Sequence, residues 1–290
     1  MAEWTDRYWT SGDGLRLHYR DYDGPSDRPP IVCLPGLTRN VRDFESVADR
    51  HAGAWRVLAL NFRGRGDSAH DPEPGNYAPN TYAADVLSLF DAIGIDRAVL
   101  LGTSLGGIVT MILAAAAHDR IAGAMLNDIG PEIDPRGIER IRGYVGRSTD
   151  FGSWEEVASA LATRNADVYP QYDPAQWLAF AKRICRERGG RISFDYDMAI
   201  SSNFNRAPSG PGASMWPQFQ ALAGLPLLIL RGELSDLLEA EVARKMAETL
   251  PEAELVVVPG IGHAPALDEP EAIAAIDRLL ERVLARSLTA

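Results

Sequence analysis

Val99-Leu100-Leu101-Gly102-Thr103-Ser104-Leu105-Gly106-Gly107-Ile108-Val109 is the stretch that decides the fold. A β-rich apolar run ends at Leu101 and a helical pattern begins at Leu105, so G-x-S-x-G falls between a predicted strand and a predicted helix. The bare pattern is a weak signal, and its setting is what makes it informative. A serine projected from a strained strand-to-helix turn needs small residues two before and two after it, because the neighbouring backbone would otherwise meet a side chain there. Gly102 and Gly106 supply that room. The helix opening at Leu105 turns a backbone N–H and a positive dipole end toward negative charge, which is one half of an oxyanion hole. Ser104 is the candidate nucleophile.

Outward from this turn, residues 31–34, 55–60, 98–101, 122–126, 225–230 and 254–258 form nearly continuous apolar runs. Strands without polar alternation are buried on both faces, as in a parallel sheet covered by helices on each side. Residues 15–19 alternate instead, with Arg16 and His18 set against Leu15, Leu17 and Tyr19, and read as a half-exposed antiparallel edge strand. Helices are predicted over 81–93 with Asn80 as cap, and over 105–117, 239–250 and 270–288. The fold class is α/β, with a mainly parallel sheet.

Between Pro131 and Pro217 no buried-strand run occurs and aromatic residues gather, among them Tyr144, Trp154, Tyr169, Tyr172, Trp177 and Phe180. Ser153-Trp154-Glu155-Glu156 has the form of a capping box, and Asp173-Pro174 places a capping carboxylate before a first-turn proline. The reading is a helical cap over residues 131–217, inserted into a core domain made of residues 1–130 and 218–290. Residues 207–212 look like the loop returning from it.

The 290 residues are 46% hydrophobic and 24% charged, ordinary for a soluble globular protein and enough to bury a core without disulfides or a structural metal. Forty acidic against 29 basic side chains leave a net charge of −11. That field repels phosphate backbones and anionic headgroups, so neither nucleic acid nor a membrane is the expected partner. Cys33 and Cys185 lack C-x-x-C spacing and read as free thiols in a reducing compartment. With no leader-like apolar stretch at the N-terminus, the expected location is cytoplasmic. Gly64-Arg65-Gly66-Asp67-Ser68-Ala69 imitates a dinucleotide loop, but His70-Asp71-Pro72-Glu73-Pro74-Gly75 forbids the helix such a loop requires. No cofactor and no metal are expected.

A nucleophilic serine needs a base. His18, His51, His70 and His118 have structural explanations, whereas His263 lies in a glycine-bearing loop just past the last predicted strand. That is the sheet end where Ser104 sits and where open α/β sheets meet ligands. The base needs an acid in turn, and three carboxylates follow strands: Asp128, Glu233 and Asp236. Asp236 is preferred because it completes the chain order serine, acid, histidine. The second oxyanion donor should be the amide of Leu37, where Gly36 permits close backbone approach.

With these landmarks the chain resembles the α/β-hydrolase superfamily over nearly its full length. The matching residues are Pro35-Gly36, Arg63-Gly64-Arg65-Gly66-Asp67-Ser68, Gly102-Thr103-Ser104-Leu105-Gly106, Asp236 and Gly262-His263. The resemblance implies an eight-stranded sheet, a helical cap between strands six and seven, a Ser104-His263-Asp236 triad, and oxyanion donors at Leu37 and Leu105. Members often carry His-Gly where this chain has Pro35-Gly36, and Asp where it has Asn61. Dehalogenases and epoxide hydrolases of the superfamily use an aspartate at the elbow, so Ser104 argues against both.

The expected reaction is hydrolysis of a carboxylic ester or lactone of a small to medium apolar or aromatic molecule through an acyl-enzyme. Trp154, Trp177 and Tyr144 are the candidate substrate contacts in the cap. Arg140, Arg142, Arg183 and Arg191 read as a solvated helix face. C–C bond hydrolysis, haloperoxidase or perhydrolase activity, and a ligand receptor that retains the triad are rivals with the same motifs. The natural substrate and the oligomeric state do not follow from the sequence.

Overall fold

The computed structural model describes residues 1–206 and 214–287. Six strands precede the insertion: β1 (Thr5–Thr10), β2 (Arg16–Tyr22), β3 (Ile31–Leu34), β4 (Val57–Asn61), β5 (Ala98–Thr103) and β6 (Ile121–Asn127). A hairpin of β7 (Cys185–Arg188) and β8 (Arg191–Phe194) lies within it, and β9 (Leu227–Gly232) and β10 (Ala253–Val258) follow. The main sheet has eight strands in the order β1-β2-β4-β3-β5-β6-β9-β10. Its β1-β2 and β2-β4 pairs are antiparallel and the remaining pairs parallel.

The period-two alternation of a strand sorts its residues between two layers. Val32, Leu34, Leu58, Leu60 and Leu100 face one cluster, with α2 (Pro79–Ile93) and α3 (Leu105–Ala117) packed on that side. Ile31, Cys33, Val57, Ala59, Val99 and Leu101 face the other, against α1 (Glu45–His51) and the late helix over Pro270–Ser287. Both faces are covered, which is why the central strands are apolar throughout.

Three local expectations change. The strand expected over residues 15–19 is present as antiparallel β2, running from Arg16 to Tyr22, but β1 covers its outer edge, and Leu17, His18 and Tyr19 are buried. β1 itself, with a single buried residue, Trp9, is too polar to show in a hydrophobicity pattern. The helix α2 starts at Pro79 with Ala78 as its cap, so Asn80 lies inside the first turn. Proline's fixed φ favours that first position.

Between β6 and β9 the chain leaves the sheet for α4 (Pro135–Arg142), α5 (Trp154–Arg164), α6 (Pro174–Ile184), the β7-β8 hairpin, α7 (Ser201–Arg206) and α8 (Trp216–Gln220). Ser153 caps α5 through the amide of Glu156, and Asp173 with Gln176 forms a complete capping box on α6. The hairpin was not expected. Its signal is Gly189-Gly190, both at positive φ (58° and 74°), the pair that a two-residue hairpin turn demands. The expected boundary at 217 falls inside α8, whose Phe219 is fully buried in the core. The return loop over 207–212 and Leu288 lie outside the described residues. The last two helices, α9 (Ala240–Thr249) and α10 (Pro270–Ser287), flank β10. Among the described residues no helix is long and apolar enough to cross a membrane.

Candidate active site

Ser104 sits between β5 and α3 with φ 52° and ψ −113°, a conformation L-residues adopt only where the surroundings enforce it. The surroundings are tight. A Cβ on Gly102 would lie 2.5 Å from the carbonyl oxygen of Gly106, and one on Gly106 would lie 2.1 Å from that of Leu34. The Ser104 amide donates to the carbonyl of Asn127 (3.0 Å), tying the turn to the neighbouring strand. Leu105, as first residue of α3, has an amide without an intrahelical acceptor.

The Ser104 hydroxyl lies 2.9 Å from His263 Nε2, and His263 Nδ1 lies 2.8 Å from Asp128 Oδ2. A carboxylate only accepts, so Nδ1 carries the proton and Nε2 keeps its lone pair for the serine. Asp128 is fully buried and also accepts from the Gly232 amide (2.8 Å) and the Ser235 hydroxyl (2.6 Å).

Asp236, expected in that place, is elsewhere. Its carboxylate takes a bidentate grip from Arg140 of α4, at 2.5 and 2.8 Å. Burial disfavours its charge, yet the Arg140 hydrogen bonds and charge prevail and hold its carboxyl below the usual range. The reason is the direction of the two turns. Asp128 directly follows β6, next to the strand bearing Ser104, and its φ of 57° turns it toward the histidine loop. The loop after β9 contributes no acid to this arrangement. It contributes the two donors, Gly232 and Ser235, that hold the acid of β6. Glu233 accepts from the Gly260 amide and takes no place beside His263.

The Gly36-Leu37 segment reaches the serine, since a Cβ on Gly36 would lie 3.7 Å from Ser104 Cβ. Fully buried Arg65 holds this segment: its Nε donates to the Leu37 carbonyl (2.9 Å), and its Nη1 to the Arg63 carbonyl and the Tyr82 hydroxyl. The Gly64-to-Ala69 run is thus a brace for the loop that carries Leu37. Asn61, at the position where relatives often have Asp, accepts from the Val41 amide and donates toward His18 Nδ1. An ionised aspartate would have no hydrogen to give that ring nitrogen.

A cleft of about 1080 Å³, open mouth included, lies over Ser104 and His263. Tyr144 lines it, with Tyr169, Phe180, Phe194 and Tyr196. Trp154 and Trp177 do not. Trp177 is buried among Tyr169, Tyr172 and Phe180 in the insertion's own core, and Trp154 is partly buried against the larger core cluster that contains them. Burial pushes the phenol of Tyr172 up to about 12 and raises that of Tyr144. Four arginines also line the cleft: Arg39, Arg140, Arg164 and Arg183. Arg140 and Arg183 were read as solvated surface and are not, whereas Arg142, close to Glu139, and exposed Arg191 lie outside the cleft lining. Sequence reasoning missed Arg39 and Arg164. Arg39 could have been found from its place two residues after Leu37.

The insertion is bound to the histidine loop. The Gly262 amide donates to the Val168 carbonyl (2.7 Å), and the Tyr169 hydroxyl to the Ala264 carbonyl (2.8 Å). Cys33 and Cys185 are buried free thiols, and burial pushes that of Cys185 up to about 12.

The chain as a whole matches proteins of one kind. The model of the alpha/beta hydrolase family matches residues 31–276. The chain is 32% identical over 267 residues to a 3-hydroxybutyrate-oligomer hydrolase of Cupriavidus necator, covering 89% of this chain and 90% of that one. It is 29% identical to a 2-(acetamidomethylene)succinate hydrolase of Mesorhizobium japonicum, over 81% of each. A crystal structure of an alpha/beta hydrolase from Novosphingobium aromaticivorans superposes with a TM-score of 0.93 at 57% identity, covering 97% of this chain and 99% of that one. The chain belongs to the alpha/beta hydrolase family.

Proposed function

We propose that this chain is a serine hydrolase that cleaves a carboxylic ester, lactones included, of a small to medium-sized substrate. The observation that carries the reading is the hydrogen-bonded series Ser104, His263, Asp128 at 2.9 and 2.8 Å, opening onto the cleft. His263 takes the Ser104 proton as the hydroxyl oxygen attacks the ester carbonyl. The amides of Leu37 and Leu105 receive the oxyanion, and Asp128 stabilises the imidazolium and keeps its tautomer. His263 then protonates the leaving alkoxide, and water releases the acyl group by the same route. The insertion from α4 to the β7-β8 hairpin serves as the cap that closes over the substrate. The similarity to a hydrolase of 3-hydroxybutyrate oligomers supports ester chemistry, because a hydroxy acid forms oligomers through ester bonds.

The test is fluorophosphonate labelling followed by intact mass, with p-nitrophenyl butyrate turnover on the same samples. Wild type should label and turn over, and Ser104→Ala and His263→Ala should do neither. A folded wild type that does neither overturns the reading.

A further inference from the structure

The protein as a whole carries a net charge of −11, yet its cleft is lined by four guanidinium groups and one carboxylate, Asp43. A cleft for a neutral ester has no use for that excess. A guanidinium that lines the cleft and that no carboxylate of the described residues engages is available to an anion entering it, and the exposed Arg164 is such a group. Two of the four are committed. Arg39 is held by Asp43 through two hydrogen bonds, at 2.6 and 2.7 Å. Arg140 is gripped by Asp236 through Nε and Nη2.

Arg183 is only 3.8 Å from an Asp268 oxygen, and Arg164 has no carboxylate within salt-bridge distance among the described residues. Arg164 ends α5 and lines a side recess of the cleft together with Arg140, Gly143, Tyr144 and Asn165. The recess continues the main cleft, since all of these except Gly143 line both. Two guanidinium groups and a phenol therefore converge on one end of the space above Ser104, and only one of the cations there is neutralised.

We propose that this recess is a carboxylate subsite: the substrate is an acidic ester whose free carboxylate is held by Arg164, with Arg140 beside it, while the scissile carbonyl lies at Ser104. The substrate class is monoesters of dicarboxylic acids and short hydroxy-acid esters with a free acid end. This rests on the hydrolytic reading above. Asp236 gains a role in it, since by occupying two of the three nitrogens of Arg140 it limits the recess to a single carboxylate.

The experiment compares mono-p-nitrophenyl glutarate with p-nitrophenyl butyrate, in wild type, Arg164→Gln, Arg164→Lys and Arg191→Gln, at low and high salt. Wild type should favour the anionic ester by about tenfold or more in kcat/KM, and Arg164→Gln should abolish the preference, chiefly through KM, as expected when a charge-assisted hydrogen bond is removed. Arg164→Lys should restore part of it, added salt should weaken it, and the exposed Arg191→Gln should leave it intact. An equal or lower kcat/KM for the anionic ester overturns the proposal, as does a preference that survives Arg164→Gln. If neither ester is cleaved, glutarate itself is the probe: a saturable rise in melting temperature that Arg164→Gln removes supports the subsite and faults only the ester reading, while no rise overturns the subsite.

Discussion

The turn after β6 and the loop after β9 each present an aspartate at the carboxyl end of the sheet, and the two are used in opposite ways. Asp128 is fully buried, accepts three hydrogen bonds and orients His263. Asp236 is half-buried and accepts from Arg140, which lines the cleft. With Asp128 as the proposed triad acid, the difference teaches that following a strand at the right end of the sheet does not suffice for that role. What makes one is a supply of donors aimed at the carboxylate from behind, and here β9 provides them while β6 provides the acid.

The sharpest way to break that contrast is Asp128→Asn, which should cost roughly a thousandfold to ten-thousandfold in kcat by leaving the imidazole in the wrong tautomer. If Asp236→Asn costs as much in p-nitrophenyl ester assays, the roles are reversed. Ser235→Ala comes next: Asp128 loses one of its donors, and about 1–2 kcal/mol of orientation and charge stabilisation should go with it, read as about tenfold in kcat. Asp236→Asn should change kcat by only a few-fold while lowering KM for an anionic ester, because Arg140 is released.

The smallest effect is on stability in acid. The Asp236 carboxyl is held below its usual pKa of 3.8 in the folded state. Its contribution is therefore complete above that value and fades as pH falls through the lower folded value. Thermal melts between pH 5 and about 3 should show wild type losing more than Asp236→Asn.

The elbow was legible because its three residues lie together in sequence: Gly102 answers a steric demand set by Gly106 and Gly107, and Gly106 one set by Leu34 of the neighbouring β3. His263 was legible by elimination and by its place at the carboxyl end of a strand. The acid was not, because Asp128, Glu233 and Asp236 all follow strands at one end of the sheet, and their side-chain directions depend on partners far along the chain. Arg140 and Ser235 are those partners. The same limit hid the arginines. The guanidinium groups of Arg140 and Arg183 on polar helix faces read as solvated until the packing of α4 and α6 shows those faces turned to the cleft. Continuous apolar runs disclosed β3, β5, β6 and β9, while β1 and β7 make their cross-strand partners with few apolar residues and stayed unseen.

The two hydrogen bonds between residues 168–169 and the histidine loop carry a consequence for timing. A swing of α5 and α6 away from the sheet would break the anchors of Gly262 and Ala264, on either side of His263. On the proposed reading, in which this insertion is the gate, gate and base would share a bearing: with the gate open the base would lose its fixed aim, and bulk water would meet a dormant hydroxyl and not an armed one.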